Sequence, residues 1–141
     1  MVGRAAPPGP VLSVDAFVRA YEEALDTNTW AAVSPLIHED ACVTFSDGRA
    51  LVGKAAVRAA YERNFAAIKD DTYAVSDVHW VSRAQDHAVY TFAFAWTGTV
   101  DGKRAGGQGR GTAVIVRYEA GWQLIAEHLG PAPKGGAAPH P

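Results

Sequence analysis

Large aromatic and small side chains alternate along residues 90–96 of the chain. An alternation with a period of two is typical of a β-strand, whose successive side chains point to opposite faces. One face would carry Tyr90, Phe92, Phe94 and Trp96, and the other would carry small and β-branched residues. The pattern predicts a curved sheet around an aromatic interior, with a flat outer surface that could pair with a second sheet.

Apolar residues recur at helical spacing in three segments before residue 70. The first segment begins after the N-cap candidate Ser13, the second follows a break at residues 26–29, and the third begins at Gly53. A short strand at residues 41–45 lies between the second and third segments. The chain therefore predicts three helices and one short strand in its N-terminal half.

After residue 71 the period changes from 3.6 to 2, which predicts a meander of long strands. The predicted strands are residues 72–82, 88–100, 110–118 and 122–129. Helices followed by antiparallel strands indicate the α+β class. We expect four long strands plus short N-terminal strands in a strongly curved, mostly antiparallel sheet, with the three N-terminal helices covering its concave face.

The composition and charge of the 141 residues predict one domain, residues 12–130, between disordered segments at 1–11 and 131–141. A net charge of -2 without a basic stripe argues against nucleic acid as a partner. No window reaches the ~20 apolar residues that a membrane span requires. The single Cys42 and the lack of a secretion signal predict a cytoplasmic location.

Several short motifs occur in a characteristic order. They are residues 20–26 (AYEEALD), Trp30, 38–41 (HEDA), 51–54 (LVGK), 109–114 (GRGTAV), 121–125 (GWQLI) and 127–129 (EHL). Together they resemble the nuclear transport factor 2-like superfamily, which includes SnoaL-like proteins and ketosteroid isomerase, over residues 13–131. The resemblance implies a conical barrel that encloses a pocket. The ending is also similar to the association domain of calcium/calmodulin-dependent kinases.

The resemblance to ketosteroid isomerase places its helix-1 tyrosine at Tyr21. Its general-base aspartate would fall on or next to Phe45, and its second acid would fall near Val114, so both acids are missing here. Without a base near the reacting carbon, that proton abstraction is not available. Steroid isomerisation is therefore rejected as the specific activity, whereas the pocket is retained.

Strand alternation predicts which side chains line this pocket. If the rings of residues 90–94 face inward, an inward set on the next strand is Arg110, Thr112, Val114 and Val116. On the last strand the inward set is either Gln123, Ile125, Glu127 and Leu129, or Trp122, Leu124, Ala126 and His128. The comparison with the isomerase favours the first set, but periodicity alone does not choose, because a slip of one residue exchanges them.

Three residues are candidates for catalysis: Tyr21, Glu127 and Arg110. Burial among rings would raise the pKa of Glu127 and suit it to general acid–base work, and Arg110 could bind an anionic group. In the alternative reading, Arg110 and Glu127 form a structural pair and Tyr21 is a core tyrosine. The candidate ligand-binding residues, which could equally fill a core, are Phe17, Trp30, Phe45, Tyr61, Phe65, Trp80, Tyr90, Phe92, Phe94, Trp96, Thr112, Val114, Ile125 and His128.

We predict no metal and no cofactor. The five histidines show no paired ligand spacing. The glycine-rich run at residues 106–111 precedes a strand and lacks the Lys-Ser/Thr ending of a phosphate-binding loop. We expect these glycines to permit a bulge or a bend in the sheet.

Two functions of different class follow. The first is an acid–base cyclase, isomerase or dehydratase that acts on a hydrophobic, polyketide-like or polycyclic small molecule. The second is a non-catalytic homodimeric module for ligand binding or association, which would bury Thr91, Ala93 and Ala95 between subunits through the outer face of the sheet. Inward orientation of both Glu127 and Arg110 would favour catalysis.

Overall fold

The computed structural model describes residues 11, 13–119 and 121–133. The elements in chain order are α1 (Val14–Asp26), α2 (Trp30–Val33), a 3₁₀ turn (Ser34–Leu36), β1 (Ile37–Thr44), β2 (Ala50–Val52), α3 (Lys54–Ala67), β3 (Lys69–Arg83), β4 (His87–Val100), β5 (Lys103–Tyr118) and β6 (Gly121–Pro131). The predicted α+β class, with helices first and a long antiparallel meander after them, is confirmed.

The six strands form one curved sheet in the order β2-β1-β6-β5-β4-β3. The β1–β6 pair is parallel and the other pairs are antiparallel. Because β2 and β3 are its edges, the sheet is an open cone rather than a closed barrel. Helix α1 packs against β3 and helix α3 against β1, so the two long helices cover the concave face.

Helix α1 is tied to the edge strand β3 by two carboxylates. Glu22 Oε2 accepts a hydrogen bond from the Val75 N–H at 2.6 Å, and Asp26 Oδ1 accepts one from the Tyr73 N–H at 2.9 Å. The backbone N–H groups on the free side of an edge strand have no sheet partner, and these carboxylates supply one. The two bonds hold the start of β3 against the helix.

Strand β5 begins at Lys103 rather than at residue 110, because the glycine-rich run is itself part of the strand. Gly107, Gly109 and Gly111 pair with Trp96, Phe94 and Phe92, respectively. Each glycine leaves room for the opposite ring to lie over the backbone, and a Cβ on Gly111 would collide with the Phe92 ring. The expected bulge is wrong here, since the β4–β5 register runs without a shift.

Replacing Gly109 by Ala is expected to lower the free energy of unfolding by about 1–3 kcal/mol. The new Cβ would collide with the Gly130 carbonyl oxygen and with the Phe94 ring. The matched control is Gly130→Ala, whose Cβ would have the Arg110 carbonyl oxygen as its nearest neighbour, at 3.9 Å. Urea denaturation measures both variants, and equal stabilities would contradict the expectation.

A β-bulge changes the alternation of β6. Val114 pairs with Ala126 while Ile115 pairs with Leu124, so Ile125 is an extra residue without a partner on β5. Trp122 and Leu124 are therefore buried before the bulge, and Glu127 is buried after it. Each of the two predicted inward sets is correct over only part of the strand, because the bulge shifts the alternation by one residue.

The predicted disordered segments fall mostly on residues outside the described part of the chain. Val11 accepts a hydrogen bond from the Trp122 N–H at 3.1 Å, and β6 extends to Pro131, so these two positions belong to the folded domain. No helix in the described ranges is long and apolar enough to cross a membrane.

Candidate active site

A pocket of about 240 Å³ opens on the concave side of the sheet, between the cone and helix α3. Its deepest lining residues, Tyr61, Phe94 and Glu127, are buried, whereas Asp47, Arg49 and Asn64 at its mouth are exposed. The remaining lining residues are Leu25, Phe45, Ser46, Phe65, Ile68, Asp71, Tyr73, Trp96 and Leu129. Most of these are apolar or aromatic, which is the usual composition of a small-molecule site.

Two buried tyrosines meet at the inner end of the pocket. The hydroxyl oxygens of Tyr21 on α1 and Tyr61 on α3 are 2.7 Å apart, and either hydroxyl can donate to the other. A hydroxyl that receives a hydrogen bond becomes a better donor of its own proton. The pair therefore suits the stabilisation of a negatively charged oxygen on a ligand.

Glu127 is the polar residue that sits deepest beside this pair, with 5% of its surface exposed. Its Oε2 atom is buried and has no hydrogen-bond partner in the described part of the chain. Burial raises the pKa of the carboxyl to about 8, and the nearby Tyr21 hydroxyl, which favours the ionised form, offsets part of the rise. Near neutral pH this carboxyl can therefore both accept and donate a proton.

Burial raises the pKa of Tyr21, Tyr61, Tyr73 and Tyr90, and the charge of Glu127 raises each of them further. All four phenols consequently keep their protons at neutral pH. The surroundings of Glu127 thus offer hydroxyl donors rather than a second base.

The mouth of the pocket carries charged groups of a different kind. Arg49 Nε lies 2.8 Å from Asp47 Oδ2, and the Arg49 guanidinium lies over the Phe45 ring, 5.3 Å from its centroid. The Arg49 backbone N–H and guanidinium hold the pKa of Asp47 below its usual range. Burial raises the pKa of Asp71, and the Asp26 charge raises it further.

A sequence profile of the SnoaL-like domain family matches residues 14–133. The chain belongs to this family. Its structure is similar to that of a protein from Novosphingobium aromaticivorans, which is provisionally described as an aromatic ring hydroxylase. The two sequences are 24% identical and the TM-score is 0.76, and the match covers 84% of this chain and 86% of that one. A comparison with curated proteins found no match.

Two further solved structures share the SnoaL-like fold. One, from Streptomyces avermitilis, is provisionally described as a dehydratase of the NTF2-like family, with 21% identity, a TM-score of 0.75, and coverage of 84% and 94% of the two chains. The other, from Thiobacillus denitrificans, is provisionally described as a calcium/calmodulin-dependent protein kinase type II association domain, with 19% identity, a TM-score of 0.76, and coverage of 89% and 100%. At these identities the likeness establishes the fold.

Within the SnoaL-like cone, the candidate residues separate into three groups. Those that line the pocket are Phe45, Tyr61, Phe65, Phe94, Trp96 and Glu127. Those that pack in or against the core instead are Phe17, Tyr21, Trp30, Trp80, Tyr90 and Phe92. Those outside the pocket are Arg110, Thr112, Val114, Ile125 and His128. Tyr21 reaches the pocket indirectly, through its hydrogen bond to Tyr61.

The expectation that Arg110, Thr112 and Val114 face inward is wrong. They pair with Ala93, Thr91 and Val89, which lie on the outer face of β4. Residues directly opposite each other on antiparallel strands share a face. The inward residues of β5 are therefore Gly109, Gly111 and Ala113, of which the two glycines have no side chain to contribute to a hydrophobic pattern.

His128 and Ile125 are the other two candidates that the structure places elsewhere. His128 pairs with Thr112 and is exposed on the outer face, and Ile125 is the extra residue of the β6 bulge. Neither residue lines the pocket, so no ligand contact is proposed for them.

Three residues that line the pocket, Tyr73, Asp71 and Arg49, are not among the candidates predicted from the sequence. Tyr73 could have been found, because Tyr73 and Val75 alternate along a predicted strand. Arg49 lies in a turn, where no periodicity indicates direction. Within the described ranges, no three His, Cys, Asp or Glu side chains lie close enough together to hold a metal ion.

Proposed function

We propose that this protein is an acid–base enzyme that removes a proton from a carbon next to a carbonyl group of a small aromatic or polyketide-like substrate. The observation that carries the proposal is the buried Glu127 carboxyl, whose Oε2 atom has no partner in the described residues and which faces a ring-lined pocket. Enzymes tune a carboxyl pKa toward neutrality by such burial when it acts as a base.

In the proposed mechanism, the substrate lies among the rings of Phe45, Phe65 and Phe94, and its carbonyl oxygen accepts a hydrogen bond from the tyrosine pair. The Glu127 carboxylate removes the α-proton, and the C–H electrons form the double bond of an enolate. The tyrosine hydroxyls stabilise the negative oxygen. If a C=C bond adjoins the α-carbon, the intermediate is a dienolate, and Glu127 returns the proton to its far carbon, which shifts the double bond and is an isomerisation. If the β-carbon carries a hydroxyl, the enolate electrons reform the carbonyl and make a C=C bond as the C–O bond breaks, and Glu127 gives the proton to the departing hydroxyl, which leaves as water in a dehydration.

The size of the pocket narrows the substrate class. At about 240 Å³ it exceeds the ~150 Å³ cavity that holds benzene, and it is smaller than the ~300–1,000 Å³ of drug-sized sites. A substrate with a single ring or with two fused rings fits this volume, whereas a substrate with four fused rings does not. One similar structure is provisionally described as an aromatic ring hydroxylase, which is consistent with an aromatic substrate, and another as a dehydratase, which is consistent with the loss of water.

Deuterium exchange of 2-tetralone, a two-ring ketone, tests the proposal without the natural substrate. The wild-type protein should accelerate the incorporation of deuterium from heavy water at the α-carbons of 2-tetralone. Proton NMR measures this incorporation as the loss of the α-proton signals. Binding of 2-tetralone, detected by saturation transfer, without any acceleration of exchange would favour a non-catalytic binding protein instead.

A second candidate function, homodimeric association, rests on the outer face of the sheet. Thr91 and Ala93 on this face are only partly buried and Ala95 is exposed, so β4 presents a row of small side chains there. One similar structure is provisionally described as an association domain. A second copy of the chain is the occupant that we propose for this surface.

Replacing Ala93 by Arg is expected to weaken such a dimer by more than about tenfold, because a buried unpaired charge in an interface is costly. The matched control is Ala84→Arg, in the exposed turn between β3 and β4. Light scattering at micromolar concentration measures both variants. A wild-type protein that is monomeric under these conditions would exclude this function.

A further inference from the structure

The carboxyl group of Asp71 also lines the pocket, and the proposed mechanism does not use it. Lys69 pairs with Thr99 and Thr72 with Thr97, so Asp70 and Asp71 together lie opposite the single residue Gly98. A Cβ on Gly98 would collide with the Ile68 side chain, so the glycine leaves room for the chain where it enters β3, next to this bulge. The bulge leaves Asp70 exposed, while Asp71 is partly buried and lines the pocket.

Asp71 and Glu127 reach the same pocket from different parts of the sheet. Asp71 lies on β3 and Glu127 on β6, and β5 and β4 separate these two strands. Each side chain has one oxygen, Asp71 Oδ1 and Glu127 Oε2, that is buried without a hydrogen-bond partner in the described residues. Buried oxygens of this kind are normally satisfied, and a bound ligand with a donor at each end would satisfy both.

The positive charge at the pocket is already engaged. Arg49 is the one basic residue among the described side chains that line it, and Asp47 on the same turn holds it in an ion pair. The Asp47–Arg49 pair carries no net charge, so a carboxylate ligand would meet the charge of Asp71 without a free cation to balance it. Like charges brought together in a partly desolvated site oppose binding.

We infer that Asp71 determines which ligands this pocket accepts, and that it selects flat aromatic molecules that are uncharged or cationic and carry hydrogen-bond donors, hydroxyl or amine, at two separated edges. The inference rests on the proposed function, because it concerns the same pocket. The sequence predicted that Arg110 binds an anionic group of the ligand. The inference gives the pocket the opposite preference, for uncharged or cationic ligands.

A pair of naphthalenes that differ in one substituent tests this inference by calorimetry. For the wild-type protein, 2,6-dihydroxynaphthalene should bind more than about tenfold tighter than 6-hydroxy-2-naphthoate. In Asp71→Asn, which keeps the shape and removes the charge, this ratio should fall to about threefold or less. Asp70→Asn, the neighbouring exposed carboxyl of the same bulge, should leave the ratio at its wild-type value.

The outcomes distinguish this inference from the proposed function. Equal affinities of the two compounds for the wild-type protein would overturn the role of Asp71 even if neither variant folds. An unchanged ratio in Asp71→Asn, or an equal change in Asp70→Asn, would overturn it as well, and Glu127 chemistry measured with 2-tetralone would still stand. If neither naphthalene binds and 2-tetralone does not exchange, both proposals fail.

Discussion

Replacing Glu127 by Gln should lower the rate of 2-tetralone proton exchange by about 10²- to 10⁴-fold, the usual contribution of a positioned base. The amide has nearly the same shape as the carboxyl but cannot accept the proton. In the wild-type protein the rate above the uncatalysed background should rise through about pH 8 and level off above it, because the carboxylate form of Glu127 accumulates as pH passes its pKa of about 8. The rise should be absent in the variant.

Two further variants separate the base from its surroundings. Tyr21→Phe should lower the exchange rate by about 10- to 100-fold, since the tyrosine pair would lose one hydroxyl near the developing negative charge. Arg110→Ala, on the outer face of β5, should exchange at the wild-type rate. A Glu127→Gln variant that retains wild-type exchange would contradict the assignment of the base.

The free energy of unfolding should fall by about 4–5 kcal/mol between pH 4.5 and pH 8, through Glu127 alone. The carboxyl has a pKa of about 8 in the folded protein, against 4.5 for an unperturbed glutamate. Between these values the folded chain binds one more proton than the unfolded chain. The stabilisation is therefore complete below pH 4.5 and is lost as pH rises through about 8.

Urea denaturation at a series of pH values measures this loss as the difference between wild type and Glu127→Gln, which lacks the titrating group. The free energy of unfolding of Glu127→Gln should change less with pH than that of the wild type. The stability of the variant relative to the wild type should therefore rise as pH rises. The matched control is Glu39→Gln, an exposed glutamate on β1, which should follow the wild-type profile. Parallel profiles for wild type and Glu127→Gln would show that the pKa of Glu127 is not raised.

Much of the fold could be predicted from local periodicity. The rings at 90, 92 and 94 are buried on one face of β4, as their alternation predicted, and Ser13 caps α1 by accepting a hydrogen bond from the Ala16 N–H at 3.1 Å. Such features depend on neighbouring residues only. The period of side chains along a helix or a strand is therefore sufficient to find them.

The lining of the pocket was less predictable, because it depends on which residues face each other across strands. The prediction for β5 failed at Arg110 since the inward positions are glycines, which leave no pattern. The prediction for β6 was correct for Glu127 only after the bulge at Ile125, which no local signal in the chain marks. The function of Glu127 stays a proposal, and so does a cytoplasmic location.

The sequence by itself determined the class of fold, the order of its elements and the aromatic face of β4, because the spacing of apolar side chains depends only on backbone geometry. The tertiary structure decided that Glu127 and Asp71 share one pocket and that Arg110 lies outside it. Strand pairing and two bulges set those positions, and both depend on contacts between residues far apart in the chain.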